Sequence, residues 1–229
     1  WCQGYSEPGA GSDLASLSCA AVADGDDYVV NGSKIWTTYA HWATHMFCLV
    51  RTQKTGRKQE GISFLLIEMD RPGIEVRPIV STDGKHHLNQ VFLTDVRVPR
   101  GNLVGAPGQG WEIAKYLLTH ERTSIAGVAE SKAALANLLQ AAGQRGWGGR
   151  PLREDAAMSL RLARAEIDLT ALEYTNLRVL SSTAAGKAPG PESSLLKLMG
   201  TAVQQTLAEL ALEVGAEQAW PWHAEGPLA

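Results

Sequence analysis

Three short segments hold the residue types that could do chemistry. The first, Tyr5-Ser6-Glu7-Pro8-Gly9-Ala10-Gly11-Ser12-Asp13, mixes glycines with small hydroxyls. Such a loop can bring backbone N–H groups close to a ligand's oxygens, or it can simply turn the chain. It lacks the Gly-Lys-Ser/Thr ending of a Walker loop and does not sit in a Gly-x-Gly-x-x-Gly unit after a strand. The second is Asn31-Gly32-Ser33-Lys34-Ile35-Trp36-Thr37-Thr38. Its indole and hydroxyls could face a planar cofactor, although a strand Trp is equally a core residue and Thr is a good strand former. The third, Thr119-His120-Glu121-Arg122-Thr123-Ser124-Ile125-Ala126, sets a carboxylate just before an apolar stretch. Buried, that carboxylate would act as a base; solvated, it would pair with a neighbouring cation.

Other candidates carry less. His41 and His45 stand four apart, but no third ligand is near in sequence, so no metal is expected. His86-His87 is expected in an exposed turn. Glu154, Asp155, Glu166, Asp168 and Glu173 are expected on a helix surface.

The elements that must position these segments change character near residues 102–110. Before that point, strands are predicted over 27–30, 34–37, 46–51, 62–69, 74–78, 90–94 and 96–98. Asn31-Gly32 is a strong type I′ hairpin signal between the first two. Gly56, Gly61, Arg71-Pro72-Gly73, Asp83-Gly84 and Pro99 separate the others. Short strands at this spacing, with few helices between them, predict a β-sandwich or barrel. Beyond Gly110, apolar residues recur every three, four or seven positions, which predicts three long helices. The first covers 111–142. The second covers 153–185, with Leu160, Ala163, Ile167, Ala171, Leu172 and Leu180 at helical spacing. The third covers 191–214, with Leu195, Leu196, Met199, Val203, Leu207 and Leu210 inward. Three antiparallel helices make an all-α bundle.

Composition narrows the classes of function. A chain of 229 residues with 45% hydrophobic content can bury a full core. A net charge of −3 offers no basic field to nucleic acid or an anionic membrane surface. No apolar run reaches the roughly 18–20 residues that span a bilayer. Three cysteines without zinc spacing fit a reducing, cytoplasmic setting. Trp1-Cys2-Gln3-Gly4 reads as neither a signal peptide nor a natural start, so an internal fragment is expected.

Taken together, the first two segments resemble the paired signature of the acyl-CoA dehydrogenase family, S/T-E-P-x-x-G-S-D followed by N-G-x-K-x-W-T/I-T. The resemblance continues through Pro72-Gly73-Ile74, Phe92-Leu93-Thr94-Asp95-Val96-Arg97-Val98-Pro99, Asn102-Leu103-Val104-Gly105, Gly110-Trp111 and Glu121-Arg122. It covers nearly all of residues 1–135 and, more loosely, the helices beyond. Among such proteins it is most similar to the large subunits of heteromeric bacterial enzymes, including those assigned to pimeloyl-CoA and steroid side chains.

The resemblance implies an α+β multidomain fold. A central antiparallel β-sandwich or barrel domain (1–105) would precede a truncated all-α helical bundle (106–229), with the family's N-terminal helical domain absent. It implies FAD as cofactor, held by Gln3, Tyr5, Ser6, Gly11, Ser12, Trp36, Thr37 and Thr38. Ser6 would lie near the pyrimidine side of the flavin and Thr38 near N5. Ser12, Thr119, His120, Glu121 and Arg122 would line the acyl-CoA site, with Glu121 as the catalytic base. The reaction implied is α,β-dehydrogenation of an acyl-CoA thioester, as in fatty-acid β-oxidation. Electrons would pass to an acceptor such as an electron-transfer flavoprotein. An acyl-CoA oxidase, a nitroalkane oxidase or a non-catalytic partner subunit is the alternative on the same scaffold.

The chain departs from the family pattern in two places. The R-x-x-F-G segment that reaches a neighbouring subunit's FAD is replaced by Arg145-Gly146-Trp147-Gly148-Gly149-Arg150-Pro151, and a later G-G-x-G turn by Gly215-Ala216-Glu217-Gln218. A hetero-oligomer is therefore expected, in which a second, smaller dehydrogenase subunit supplies the missing contacts.

Overall fold

The computed structural model describes residues 1–54, 56–144, 150–187, 190 and 192–216, leaving aside the side chains of 120–125 and 192. The chain divides into two compact units, Trp1–Tyr116 and a second that begins at Leu117.

Among the described residues, the first unit is built on eight strands: β1 (Cys2–Gly4), β2 (Ala20–Asp24), β3 (Asp27–Lys34), β4 (His45–Arg51), β5 (Ile62–Glu68), β6 (Ile74–Val80), β7 (His86–Pro99) and β8 (Leu103–Val104). They form one sheet in the order β6-β7-β3-β2-β4-β5-β8, with β1 added beside β4. Most pairings are antiparallel; β1 and β2 each run parallel to β4. The core is made by Val30, Met46, Cys48, Val50, Leu65, Ile67, Val91, Val96 and their neighbours. The fold class is the expected one, a β domain followed by a helical domain.

Several details differ from the sequence reading. Asn31-Gly32 is not a hairpin turn. Strand β3 runs straight through it, and the turn lies at Gly25-Asp26, where β2 hands over to β3. Gly32 (φ 151°) is needed for close approach, since a Cβ there would lie 2.7 Å from Cys19 Cα. Asn31 serves a bulge instead. Val30 faces Val96 and Gly32 faces Leu93, so two residues of β7 oppose one of β3. The Asn31 amide donates to Asp95 Oδ1 at 3.0 Å, and the Asp95 N–H donates back at 2.9 Å. Asp95 itself is left-handed, at φ 50°. The bulge also joins what read as two strands, 90–94 and 96–98, into β7: buried positions fall at 89, 91 and 93 before it and at 96 and 98 after it.

Two further expectations fail nearby. His86-His87 opens β7 and is not in a turn. Residues 35–37 leave the sheet after Lys34, because the peptide N–H groups of Ile35 and Thr37 bond outside the ladder and Trp36 is left-handed (φ 60°).

Helices follow: α1 (Gly110–Ile125), α2 (Val128–Gln144), α3 (Ala156–Ala184) and α4 (Glu192–Gly215). The single helix expected over 111–142 is two, broken at Ala126-Gly127 with Gly127 at φ 58°. The break seats the Ala126 carbonyl against α4, where a Cβ on Gly200 would come within 2.5 Å of it. Asp155 caps α3, accepting from the Met158 N–H at 2.9 Å.

The inward face of α3 is Leu162, Ala165, Leu169, Leu172 and Val179, packed with α2 and α4. Of the residues picked out by spacing, Leu172 is buried, whereas Leu160 (72% exposed), Ala163, Ile167 (63%), Ala171 and Leu180 lie outside. The helix carries two apolar stripes of equal period, and spacing alone cannot choose between them. On α4, Leu196, Val203, Leu207 and Leu210 point inward as expected, while Leu195 does not. Of the carboxylates expected on a helix surface, Asp168 meets Arg164 and Glu173 meets Lys132 on α3, whereas Asp155 is its cap and Glu154 lies in the short turn before it. Among the described residues, no helix is long and apolar enough to cross a membrane.

Candidate functional site

The Gly-rich segment begins as a strand. Residues 2–4 pair with Met46, Phe47 and Cys48 of β4, so the chain enters the loop from the centre of the first unit. Tyr5 is buried with its ring edge-on to Phe47 and Phe64, at centroid distances of 5.9 and 6.3 Å. A tight turn follows: the Glu7 and Ala10 peptides exchange two hydrogen bonds, each 3.0 Å. Pro8 and Gly9 form its tip, which turns the Glu7 side chain inward and leaves Gly11, Ser12 and Asp13 exposed. Beyond the turn, the Arg51 guanidinium donates to the carbonyls of Ala15 and Leu17 and holds the loop's return.

Glu7 is the anchor of this segment. One carboxylate oxygen accepts from Lys34 Nζ at 2.8 Å and the Cys19 N–H at 2.9 Å. The other accepts from the N–H and hydroxyl of Ser18, at 2.7 and 2.9 Å. Lys34 is fully buried, and its ammonium also reaches the Tyr5 carbonyl at 3.2 Å. Burial pushes the Glu7 carboxyl up, but the Lys34 charge and these hydrogen bonds outweigh burial and hold it below the usual carboxylate range.

The ion pair laces the two motif segments together, and a main-chain bond completes the link. The Ile35 N–H donates to the Ser6 carbonyl at 2.9 Å. Immediately after it, Trp36 stands 57% exposed. Thr37 is 1% exposed, and its hydroxyl has no hydrogen-bond partner among the described residues. Thr38 is exposed. Both polar groups of the Thr37 peptide are held by Asn89: the Thr37 N–H donates to the Asn89 carbonyl at 2.9 Å, and the Asn89 side-chain amide donates to the Thr37 carbonyl at 3.0 Å.

Of the sequence-predicted residues, Tyr5 and Ser6 are therefore brought beside the segment holding Trp36, Thr37 and Thr38. Gln3 is half-buried in β1. Gly11 and Ser12 follow on the exposed arm of the loop. Thr119 is half-buried on α1, in the second unit. The side chains of His120, Glu121 and Arg122 lie outside the described ones. So do residues 145–149 and 217–218 of the two segments that depart from the family pattern. His41 and His86 both reach Asn89 Oδ1, at 3.2 and 2.7 Å, and His45 meets the Thr44 hydroxyl.

Sequence reasoning quoted Glu7 and Lys34 without giving them a role, and it missed Asn89 altogether. A charged residue in each motif was a usable signal, because two opposite charges in apolar surroundings tend to find one another. For Asn89 the only sign was a polar residue in phase with the buried alternation Val91 and Leu93.

Chemically, the arrangement suits a flat ring with polar edges. The exposed indole offers a stacking face, and an unpartnered buried hydroxyl is a group waiting for a hydrogen-bond partner.

Comparison with known proteins bears on what that ring is. Residues 2–96 match the family model "Acyl-CoA dehydrogenase, middle domain", and residues 108–220 match "Acyl-CoA dehydrogenase, C-terminal domain". The chain is 39% identical over 222 residues to acyl-CoA dehydrogenase IpdE1 of Mycobacterium tuberculosis, covering 93% of this chain and 54% of that protein. The crystal structure of acyl-CoA dehydrogenase from Geobacillus kaustophilus superposes with a TM-score of 0.91 at 28% identity, over 99% of this chain and 60% of the other. The ChsE4-ChsE5 complex from Mycobacterium tuberculosis gives 0.81 at 33% identity, over 98% and 59%. The chain thus spans about half the length of the curated relative it matches.

Proposed function

The chain belongs to the acyl-CoA dehydrogenase family, and on that premise we propose that it carries the flavin- and thioester-handling portion of an enzyme that desaturates an acyl-CoA between Cα and Cβ. One observation carries the reading: the Glu7–Lys34 pair and the Ile35–Ser6 bond set an exposed indole, a buried unpartnered hydroxyl and the Gly-rich loop side by side. Gln3, Tyr5, Ser6, Gly11, Ser12, Trp36, Thr37 and Thr38 would hold FAD, which when bound supplies the hydride acceptor. Trp36 would stack on its ring, and the Thr38 hydroxyl would donate where negative charge builds, with Thr37 packed beneath them.

Glu121 is the base in this reading. Its carboxylate takes the α-proton of the thioester, and a water-poor site makes a carboxylate a stronger base. The electron pair left on Cα forms the double bond as the β-hydrogen departs as hydride. Ser12, Thr119, His120 and Arg122 orient the thioester. The reducing equivalents pass to a separate acceptor, such as an electron-transfer flavoprotein, in the cytoplasm. A second, different dehydrogenase subunit supplies the FAD contacts whose motifs this sequence replaces; the likeness to a protein solved as the ChsE4-ChsE5 complex supports that assembly.

The test is an anaerobic titration of the full-length gene product with acyl-CoA thioesters, with and without a neighbouring dehydrogenase subunit. Bleaching of the oxidised flavin band supports the reading, and bleaching only with the second subunit supports the heteromer. Tight flavin binding with no reduction by any thioester overturns it in favour of a non-catalytic partner subunit. Oxygen consumption without an added acceptor would identify an oxidase instead.

A further inference from the structure

Beyond Lys34 the chain must leave β3 and still present Trp36 outward, and it does so at a conformational cost. Trp36 (φ 60°) and Tyr39 (φ 55°) both occupy the left-handed region, which is strained for a non-glycine residue and persists only where the surroundings over-determine it. The over-determining contacts come from the start of β7. Its His87 carbonyl accepts from the Tyr39 N–H at 2.8 Å, and Asn89 takes both polar groups of the Thr37 peptide. Thr37 is thus clamped between the two strained residues.

Asn89 is itself fully buried and fully engaged. Because the Thr37 carbonyl can only accept, the Asn89 amide nitrogen must face it, and this fixes the side-chain orientation. The oxygen then accepts from His86 Nε2 at 2.7 Å, while His41 Nδ1 stands 3.0 Å from the amide nitrogen and 3.2 Å from the oxygen. The two imidazoles stack at a centroid distance of 3.9 Å. His41 lies just beyond the segment 36–38 and His86 at the start of β7, so the stack ties the two ends of the same clamp.

We infer that Asn89, braced by the His41–His86 stack, is the positioning residue that sets the conformation of segment 36–38 and thereby the face offered to the flavin ring. Asn89 touches no ligand in this scheme and acts through the Thr37 peptide. The inference rests on the flavin-binding reading above.

The experiment uses the full-length gene product, with its partner subunit where assembly requires one, and reads FAD dissociation and the visible band shape of the bound oxidised flavin. Asn89→Asp keeps the side-chain shape but cannot donate to the buried Thr37 carbonyl. It should weaken FAD retention roughly 5- to 150-fold and shift the band towards that of free flavin, with the far-UV circular dichroism unchanged. His86→Phe keeps a stacking ring, removes one donor to Asn89 and lies at an exposed position. It should act in the same direction by roughly 2- to 10-fold. A folded Asn89→Asp protein with parental FAD affinity and band shape overturns the inference. If Asn89→Asp fails to fold, a folded His86→Phe protein with parental values does so instead. If the parent protein binds no FAD, the proposed function falls, and this inference with it.

Discussion

Replacing Lys34 by Met tests whether the buried ion pair organises the first unit. Met nearly matches the Lys stem in length, so the change removes the ammonium while leaving little void. Glu7 would keep its bonds from Ser18 and Cys19 but lose its counter-charge, with a side chain only 5% exposed. Removing one partner of a buried pair costs about 3–5 kcal/mol, chiefly the penalty of an uncompensated buried charge. Against a typical total stability of about 5–15 kcal/mol, that is a large fraction. With a urea m-value of about 2 kcal/mol/M, the unfolding midpoint should fall by about 2 M. Glu7→Gln alone should be comparably harmful, because it strands Lys34. The double variant Glu7→Gln/Lys34→Met should be less destabilised than the sum of the two, since the stranded charge is gone in both senses. Urea unfolding followed by intrinsic fluorescence reads all four proteins. A loss under about 1 kcal/mol for Lys34→Met, or simple additivity in the double variant, would refute the assignment.

Other expectations follow from the same geometry. The Glu7 carboxyl is held below the usual carboxylate range when folded, so its contribution is complete above the unfolded-state pKa and is lost as pH falls through the folded value. The urea midpoint of the parent protein should therefore drop more steeply below about pH 4 than that of Glu7→Gln. Gly32→Ala should destabilise by about 1–3 kcal/mol, measured by thermal melting, because its Cβ would meet Cys19 at 2.7 Å. Glu121→Gln should leave bound flavin intact and slow its reduction by an acyl-CoA about 10²- to 10⁴-fold in stopped flow. Reduction at the parental rate would move the base elsewhere.

What the sequence disclosed, and what it hid, divides along physical lines. The change from period two to helical period near Gly110 is a property of every residue around it, so the two-part fold was legible. Asn31-Gly32 misled because the same dipeptide serves a turn or a bulge. The choice was made by Asp95, far away in sequence, which exchanges bonds with Asn31, and by Cys19, which leaves no room for a Cβ at Gly32. The inward face of α3 was invisible for a related reason: both apolar stripes satisfy the helix, and only packing against α2 and α4 selects Leu162 over Leu160. At the candidate site, the motif residues could be named from their pattern. The framework beneath them could not, because Glu7 meets Lys34 and Asn89 meets Thr37 across separations of 27 and 52 residues.

The cysteines give the first unit a property of another kind. Cys2, Cys19 and Cys48 are all free and buried. Burial pushes the Cys2 thiol up to about 11, and the Cys19 thiol is pushed up by its hydrogen bond with Cys48 and by burial. Since only an accessible thiolate reacts, an alkylating reagent finds nothing to modify in the closed sheet. Each thiol becomes reactive only when the strand around it opens. Cys2 reports on β1 leaving β4, and Cys48 on the centre of the sheet coming apart. The rates at which the three sites are labelled are thus a gauge, built from native residues alone, of how often each part of the β domain breathes.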